Sequence, residues 1–354
     1  HKETADKKVL ENKYYTIEVK ENGSLTIVDK ANNVTYKNQG ILVENGDDGD
    51  SFNYSPPRKD MEVFSNESKC TVKISGSDIY DQAEIHFDMV VPADLDERAE
   101  GKVSVTMLVD MTVALRKDSK VIDFNVKVDN KGLSHRLCVL FDSQIVSAFN
   151  YADQQFGLIK RPNYYEKEMK LYMESMNNKT EKKAGIQELA NWANDQSTWQ
   201  EPPISIEPTQ SYVSLTDGKT GIAVIPQGVR EYEVLDDSKI RLTLFRTYGF
   251  MGKENLIYRP GRASGERIIE TPAAQLLKEM EFNFGFTSYA GDINDSDIDT
   301  LAKQYNTNLE VYTYAEFLNG RLIFSQREIE GQNAKIHSLF ETEGNLVVSA
   351  VKKA

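Results

Sequence analysis

The sequence is poor in the side chains that usually build metal and redox sites. Its 354 residues include only two cysteines and four histidines. Cys70 and Cys138 are far apart and lie in apolar, strand-like runs, which predicts two buried free thiols and leaves one disulfide as the alternative. The histidines are scattered, with no His-x-Asp or His-x-x-x-His spacing. We therefore expect no metal site within this chain.

Long apolar runs and an excess of basic residues are also lacking. No apolar run approaches the about 20 residues of a membrane-spanning helix, and the first residues, HKETADKKVLENKYY, lack the hydrophobic core of a signal peptide. We therefore predict a cytoplasmic protein with no membrane partner. Lys and Arg total 42 against 55 Asp and Glu, a net charge of −13. Because nucleic-acid binding needs a clustered basic surface, we predict no nucleic-acid partner.

Most of the first 150 residues, and the chain after residue 212, have the pattern of β-strands. Apolar and polar residues alternate over 105–115 and 122–128, which is typical of strands with one face on a core. Residues 137–141 form an apolar run that suits a strand buried on both faces, and Asn22-Gly23 suits a hairpin turn. The pattern predicts a mainly β protein built on a large antiparallel β-sandwich.

Two segments depart from the β pattern. Residues 160–205 are polar and contain Trp192 and Trp199, and we expect an excursion with short helices at 166–176 and 187–193 or an irregular course. Ser296–Tyr305 has a helical pattern with acidic residues in its first turn. We predict a large sandwich over 1–290, followed over 291–354 by this helix and the start of a small accessory β domain.

The loop at 47–57, DDGDSFNYSPP, carries the most specific motif of the chain. Three further motifs follow it in order: NKGLSHRLCVLF at 130–141, DGKTGIAVIPQGVREYEV at 217–234, and LTLFR at 242–246 with RPG at 259–261 and TPAAQ at 271–275. Over more than 200 residues, the chain resembles the C-terminal β region of bacterial family 38 α-mannosidases.

This resemblance implies a supersandwich of the galactose-mutarotase type in an enzyme that hydrolyses α-mannosides by a retaining mechanism. It also implies that the zinc ion and all catalytic residues belong to an N-terminal catalytic domain outside this chain, so that this chain alone is inactive. The last ten residues, NLVVSAVKKA, are similar to the strand that opens the last β domain of the family. The chain is thus expected to be truncated at both ends. A homo-oligomer is a further expectation from the resemblance.

The resemblance also selects candidate substrate-binding residues in the loop. In eukaryotic relatives this loop carries an aromatic residue that reaches the sugar, and alignment on the proline places Phe52 there. Phenylalanine can stack on a sugar but cannot donate a hydroxyl hydrogen bond, so Asn53 and Tyr54 are candidate substitutes. Asp48 and Asp50 could accept sugar hydroxyls. The alternative for the aspartates is an Asx turn around Gly49. A calcium loop is disfavoured, because the Asp-x-Asp-x-Asp-Gly spacing is absent.

Four arginines are candidates for an anion site or a domain interface: Arg136, Arg246, Arg259 and Arg262. Guanidinium groups bind anions through two parallel hydrogen bonds, and some bacterial relatives act on phosphorylated mannosyl-glycerate. The alternative is structural salt bridging, which for Arg136 means an ion pair that anchors the edge of the sandwich.

Three functions fit these features. The first is the scaffold, domain interface and part of the substrate rim of a zinc-dependent α-mannosidase, whose partners are an α-mannoside or other carbohydrate and the N-terminal catalytic domain. The second is a freestanding carbohydrate-binding β protein. The third is a mutarotase-like epimerase, which would need a glutamate base and histidine acids, with His86 and His135 as the candidates.

Overall fold

Two large antiparallel sheets face each other across one hydrophobic core. The computed structural model describes residues 9–179, 201–260, 268–307 and Glu343. In these residues the strands are β1 Val9–Glu11, β2 Tyr15–Val19, β3 Leu25–Asp29, β4 Val34–Gln39, β5 Ile41–Gly46, β6 Val63–Phe64, β7 Lys69–Gly76, β8 Tyr80–Val91, β9 Val105–Arg116, β10 Ile122–Asp129, β11 His135–Asp142, β12 Phe149–Gln154, β13 Gly157–Pro162, β14 Glu207–Pro208, β15 Val213–Thr216, β16 Thr220–Gln227, β17 Glu231–Leu235, β18 Lys239–Arg246, β19 Phe250–Met251, β20 Ile269–Glu270 and β21 Glu279–Ala290. The α-helices are α1 Leu95–Glu100, α2 Glu166–Lys179 and α3 Ile298–Asn306.

The strands of the described chain form sheets of nine, six, four and two strands. The nine-stranded sheet has the order β13-β12-β15-β16-β21-β10-β9-β8-β7, and the six-stranded sheet has the order β14-β17-β18-β11-β5-β6. Strands β1 to β4 form a sequential four-stranded sheet, and β19 pairs with β20. Every pair is antiparallel, from β7–β8 to β16–β21. These sheets are the large antiparallel β-sandwich that the sequence predicts.

The period-two alternation of the sequence explains which side chains enter the core. On β9, Met107, Val109 and Met111 are completely buried, whereas Thr106, Leu108 and Asp110 between them are exposed. Each such apolar side chain contributes roughly 1.5–3 kcal/mol when it leaves water. The Asn22-Gly23 turn joins β2 to β3 as predicted, with Gly23 at a φ of 79°.

Four phenylalanines join the two large sheets. Phe141, on the six-stranded sheet, lies with its ring centroid 5.4 Å from that of Phe124 and 5.3 Å from that of Phe286, both on the nine-stranded sheet. Phe124 in turn stacks on Phe284 at 5.2 Å. Offset and edge-to-face contacts of this kind add to the burial of apolar area. The core therefore lies between the two sheets.

Strand β11 is buried on both faces, as its apolar run predicts. It lies between β18 and β5 in the six-stranded sheet. Leu137, Val139 and Phe141 belong to the core. Because side chains alternate along a strand, Arg136 and Cys138 point away from the core, and both are nevertheless buried. The structure holds both cysteines of the chain as free thiols, with Cys138 buried and Cys70 partly exposed.

The chain after β21 continues into the predicted helix. Helix α3 buries Ile298 and Ala302 in a second apolar cluster with Ala223 and Ile225 of the nine-stranded sheet. Residues 1–308 and 309–354 separate into two compact units, and the second unit contributes only Glu343 to the described residues. The predicted division at 290/291 and the accessory β domain stay predictions.

The polar excursion is helical where the structure describes it. Helix α2 confirms the helix expected from residue 166 onwards, whereas Gln187–Ala193, Trp192 and Trp199 lie outside the described residues. Within the described part of the chain, no helix has the length and apolar character needed to cross a membrane.

The outer face of β8 and β9 carries a partly exposed histidine between two aspartates. His86 Nδ1 lies 2.6 Å from Asp110 Oδ1, and its Nε2 lies 3.2 Å from Asp88 Oδ1. The hydrogen bond with Asp110 raises the pKa of His86 above its ordinary value. Because the folded pKa is raised, this interaction stabilises the fold fully below the unfolded pKa, and the contribution is lost as the pH rises through the folded pKa.

We expect an Asp110→Asn variant to lower the pKa of His86, measured by NMR titration of the imidazole. Both side chains are substantially exposed, so the loss of unfolding free energy at acidic pH should stay below about 1 kcal/mol and disappear at alkaline pH. Glu84→Gln serves as the control, because Glu84 lies on β8, the strand that carries His86. An unchanged titration of His86 in Asp110→Asn would contradict this assignment.

Candidate functional site

The outer face of the six-stranded sheet is polar, buried and partly covered by the loop after β5. Asn45, Arg136, Glu233 and Arg241 point away from the core on four adjacent strands, and all four are buried. The ring of Tyr54 from the loop lies over Arg136, with the guanidinium carbon 3.9 Å from the ring centroid. A polar sheet face that loops cover is the kind of surface on which specific binding groups are held in place.

The charges on this face form one hydrogen-bonded network. Glu233 Oε1 accepts from Arg136 Nη2 at 2.9 Å and from Arg241 Nε at 2.8 Å. Arg241 Nη1 also donates to Glu62 Oε1 at 2.9 Å, and Arg136 Nε donates to Asn45 Oδ1 at 3.0 Å. Arg136 is only 1% exposed. Arg136 therefore forms a structural ion pair with Glu233, on a strand inside the six-stranded sheet and not at its edge, and its role at an anion site or interface stays a prediction.

The loop itself is folded by its aspartates. Asp47 Oδ1 accepts from the Gly49 amide at 2.8 Å, and Asp50 Oδ1 accepts from the amides of Phe52 and Asn53 at 2.9 and 3.1 Å. A Cβ at Gly49 would lie 2.0 Å from the Asn53 carbonyl oxygen, so only glycine fits there. The Asx turns considered as the alternative are therefore present at Asp47 and Asp50.

Two of the candidate arginines fasten this loop to the sandwich. Arg246 donates to Asp47 through Nε at 2.7 Å and Nη2 at 3.2 Å, and its Nη2 also contacts the carbonyl oxygens of Asp50 and Asn53. Arg259 pairs with Asp50 and donates to Asn53 Oδ1 at 2.5 Å. Both guanidinium groups are paired with aspartates of the loop, and an anion site at these arginines stays a prediction. Arg262 lies outside the described residues.

The two buried aspartates differ in their proton affinity. Burial raises the pKa of Asp47, against the opposing effect of Arg246. Burial acts in the same direction on Asp50, but Arg259 and the amides of Asn53 and Phe52 outweigh it, so the pKa of Asp50 lies below its ordinary value. Asp50 is thus held as a carboxylate in the interior of the loop.

The five candidate substrate residues of the loop have different environments. Asp50 and Tyr54 are buried and position the loop, and their assignment as substrate contacts stays a prediction. Burial also raises the pKa of Tyr54, which keeps its phenol protonated. Asp48 is partly exposed and pairs with Lys253, and Asn53 Nδ2 donates to Glu201 Oε2 at 3.3 Å. Phe52 is 57% exposed, and Arg259 lies 5.9 Å from its ring centroid.

A second buried ionic cluster is not evident from the sequence. Arg98, from α1, pairs with Glu44 of β5, whose Oε1 also lies 3.0 Å from His135 Nδ1. The other ring nitrogen of His135 lies 2.8 Å from Asn130 Oδ1. The available sequence signal is a glutamate directly after the apolar residues Ile41, Leu42 and Val43 of β5.

This cluster bears on the epimerase hypothesis. His135 is buried and bonded at both ring nitrogens, whereas His86 lies on the outer face of the other large sheet. The two histidines therefore do not converge on one ligand, as that chemistry requires. In the part of the chain that the structure describes, no three His, Cys, Asp or Glu side chains are placed to bind a metal ion, so these residues do not fit a zinc site.

Comparison with known families identifies the motifs of the sequence. The family model of the glycosyl hydrolases family 38 C-terminal domain matches residues 10–250, which is more than half of the chain. The chain belongs to glycoside hydrolase family 38. The match includes the loop after β5, Arg136 and Arg246, and it confirms the resemblance seen in the sequence.

Relatives within family 38 are much longer than this chain. A Halalkalibacterium halodurans protein named "Putative mannosylglycerate hydrolase" is 24% identical over 308 residues, which are 82% of this chain and 29% of that protein. The solved structure of an alpha-mannosidase from Enterococcus faecalis matches with a TM-score of 0.65 and 22% identity, over 84% of this chain and 31% of that one. A second family 38 structure from Enterococcus faecalis gives a TM-score of 0.66 and 20% identity, over 86% and 32%. The chain thus spans less than a third of these relatives.

Proposed function

We propose that this chain is the C-terminal β region of a retaining, zinc-dependent α-mannosidase. Its role is to supply the scaffold, the interface to a catalytic domain and part of the substrate rim. The observation that carries the proposal is Phe52, an exposed aromatic ring on a loop that the pairs Asp47–Arg246 and Asp50–Arg259 hold rigidly. A rigid, exposed ring can stack on the apolar face of a sugar.

The catalytic groups are assigned to residues outside this chain. A retaining glycosidase needs two carboxyl groups about 5–5.5 Å apart on either side of the scissile bond. The buried carboxylates of the candidate site, Asp47, Asp50 and Glu233, each bind an arginine and stabilise the structure instead. We assign the zinc ion of the parent enzyme to the same outside residues, where it would act as a Lewis acid toward the substrate.

The length of the relatives supports the assignment of the catalytic groups to a separate domain. Because this chain spans less than a third of the family 38 proteins that it matches, those proteins have ample sequence for a catalytic domain. We therefore propose that such a domain is the partner of this region, that the bound ligand is an α-mannoside, and that the enzyme is cytoplasmic. The chain alone should not hydrolyse a chromogenic α-mannoside, and turnover by the pure 354-residue chain would contradict the assignment.

The test of the substrate rim is a Phe52→Ala variant of the parent enzyme. We expect kcat/KM for an α-mannoside to fall about fivefold, since the loss of one stacked ring removes on the order of 1 kcal/mol of binding. Phe156→Ala is the matched control, because Phe156 is a fully exposed phenylalanine between β12 and β13. Thermal unfolding should be unchanged in both variants. Equal activity of the two variants would show that Phe52 does not reach the sugar.

A freestanding carbohydrate-binding protein is the second candidate, and the exposure of Phe52 favours it equally. The two candidate functions differ in whether they need a catalytic domain as a partner. The first requires a catalytic domain for hydrolysis, whereas the second predicts sugar binding that depends on Phe52 in a protein with no hydrolase activity.

A further inference from the structure

A cavity of about 320 Å³ lies against the outer face of the six-stranded sheet, next to the loop after β5. Residues before and within the first turns of α2 form one wall, and residues 203–206 form another. Glu233 and Tyr258 also line the cavity. The ring of Tyr258 makes an edge contact with Tyr54 of the loop, with centroids 6.0 Å apart. The cavity therefore adjoins the candidate site but does not include Phe52.

Among the residues that the structure describes, the lining combines aromatic rings with carboxylates. Its polar groups come mainly from Tyr164, Tyr165, Tyr258, Glu166 and Glu233, and no described Lys or Arg contributes to it. Tyrosine rings and carboxylate acceptors together suit a ligand with an apolar face and several hydroxyl groups. A phosphorylated or carboxylated ligand would lie against the carboxylate of Glu166 and would find no Lys or Arg among the described lining residues to pair with, so an anionic ligand is disfavoured.

The charge of Glu233 is already balanced. Arg136 and Arg241 both contact its Oε1. This pairing weakens the attraction of Glu233 for an organic cation, which would otherwise suit a group of tyrosines. The balance favours a neutral ligand.

Two of the tyrosines are held in place before any ligand arrives. The Tyr165 hydroxyl donates to Glu207, and the Tyr164 hydroxyl accepts from the Asp236 amide at 2.9 Å. Because these rings are already fixed, the binding of a ligand costs less conformational entropy. The volume is near the lower end of the about 300–1,000 Å³ that is usual for small-molecule sites, which suits one sugar ring better than an oligosaccharide or a nucleotide cofactor.

We propose that this cavity is a binding subsite for one neutral sugar ring, separate from the rim at Phe52. It requires only that this chain binds sugar, so it does not depend on hydrolysis by the parent enzyme. In a longer ligand, the sugar ring bound in this cavity would lie on the side of the loop after β5 where Tyr54 contacts Tyr258. The subsite would then add affinity for branched or extended substrates.

The test uses the 354-residue chain and methyl α-D-mannopyranoside as the probe, with binding measured by calorimetry and ligand-observed NMR. Met169→Trp should fill the cavity, because Met169 lines it and is exposed enough to accept a larger side chain. We expect at least about tenfold weaker binding. Met173→Trp is the matched control, since Met173 is exposed on the same helix but does not line the cavity, and its affinity should stay within twofold.

A second variant tests the carboxylate chemistry. Glu166→Gln removes a charged acceptor at the cavity wall and should weaken binding several-fold, whereas Glu168→Gln on the same helix should not. Undetectable binding to the unaltered chain would overturn the proposal, as would binding that survives Met169→Trp but is lost in Phe52→Ala. Binding of tetramethylammonium in place of the mannoside would overturn it in favour of a cation site. None of these results depends on hydrolase activity, so failure here leaves the proposed enzyme function intact.

Discussion

A Glu44→Ala variant is expected to lose about 3–5 kcal/mol of unfolding free energy. Glu44 is completely buried and accepts from the equally buried Arg98 and from His135. Its removal leaves the guanidinium group of Arg98 in the interior with only Asp60, 3.3 Å away, as an acidic partner. An uncompensated buried charge costs several kcal/mol because the protein interior cannot replace its hydration. Since folded domains are usually stable by about 5–15 kcal/mol, this variant should be close to unfolding.

Chemical denaturation followed by circular dichroism measures this loss. Glu18→Ala is the control, because Glu18 forms an exposed pair with Lys20 that should contribute less than about 1 kcal/mol. Glu44→Gln keeps the shape and an acceptor oxygen, so its loss should lie between those of the two alanine variants. A loss in Glu44→Ala as small as that of Glu18→Ala would mean that the cluster does not stabilise the fold.

An Asp50→Ala variant is expected to lose about 2–4 kcal/mol and to release the loop that presents Phe52. Asp50 has two functions: it pairs with Arg259 and it accepts from the amides of Phe52 and Asn53. Asp50→Asn keeps an oxygen for the turn but removes the charge, so it separates the two functions. In the parent enzyme, Asp50→Ala should reduce kcat/KM at least as much as Phe52→Ala, because the ring loses its fixed position.

The pH dependence of Asp50 has a definite sign. Its pKa is lowered in the folded chain, so its contribution to stability is present above the unfolded pKa and is lost as the pH falls through the folded pKa. The difference in unfolding free energy between the unaltered chain and Asp50→Asn should therefore be constant above about pH 5 and should decrease below about pH 4. A difference that increases on acidification would show that Asp50 is protonated in the native loop.

Much of the candidate site could not be predicted from the sequence, and the loop shows why. Asp48 and Asp50 are two residues apart and look equivalent as acceptors for sugar hydroxyls. In the structure Asp48 is partly exposed, whereas Asp50 is buried against Arg259, which is 209 residues away in the sequence. Tyr54 looks as available as Phe52 but covers Arg136. Only the folding of distant strands decides which side chain of the loop reaches solvent.

The sequence by itself determined the strands, the Asn22-Gly23 turn, helix α3 and the family. These features depend on local alternation, on turn chemistry and on motif order, which a linear pattern contains. The tertiary structure decided the roles of the charged residues. Glu44, Arg98 and His135 come from three separate elements, as do Arg136, Glu233 and Arg241, and they meet only when the six-stranded sheet is complete. Burial and pairing of charges are properties of the assembled sandwich, because the partners are brought together by sheet pairing between distant segments.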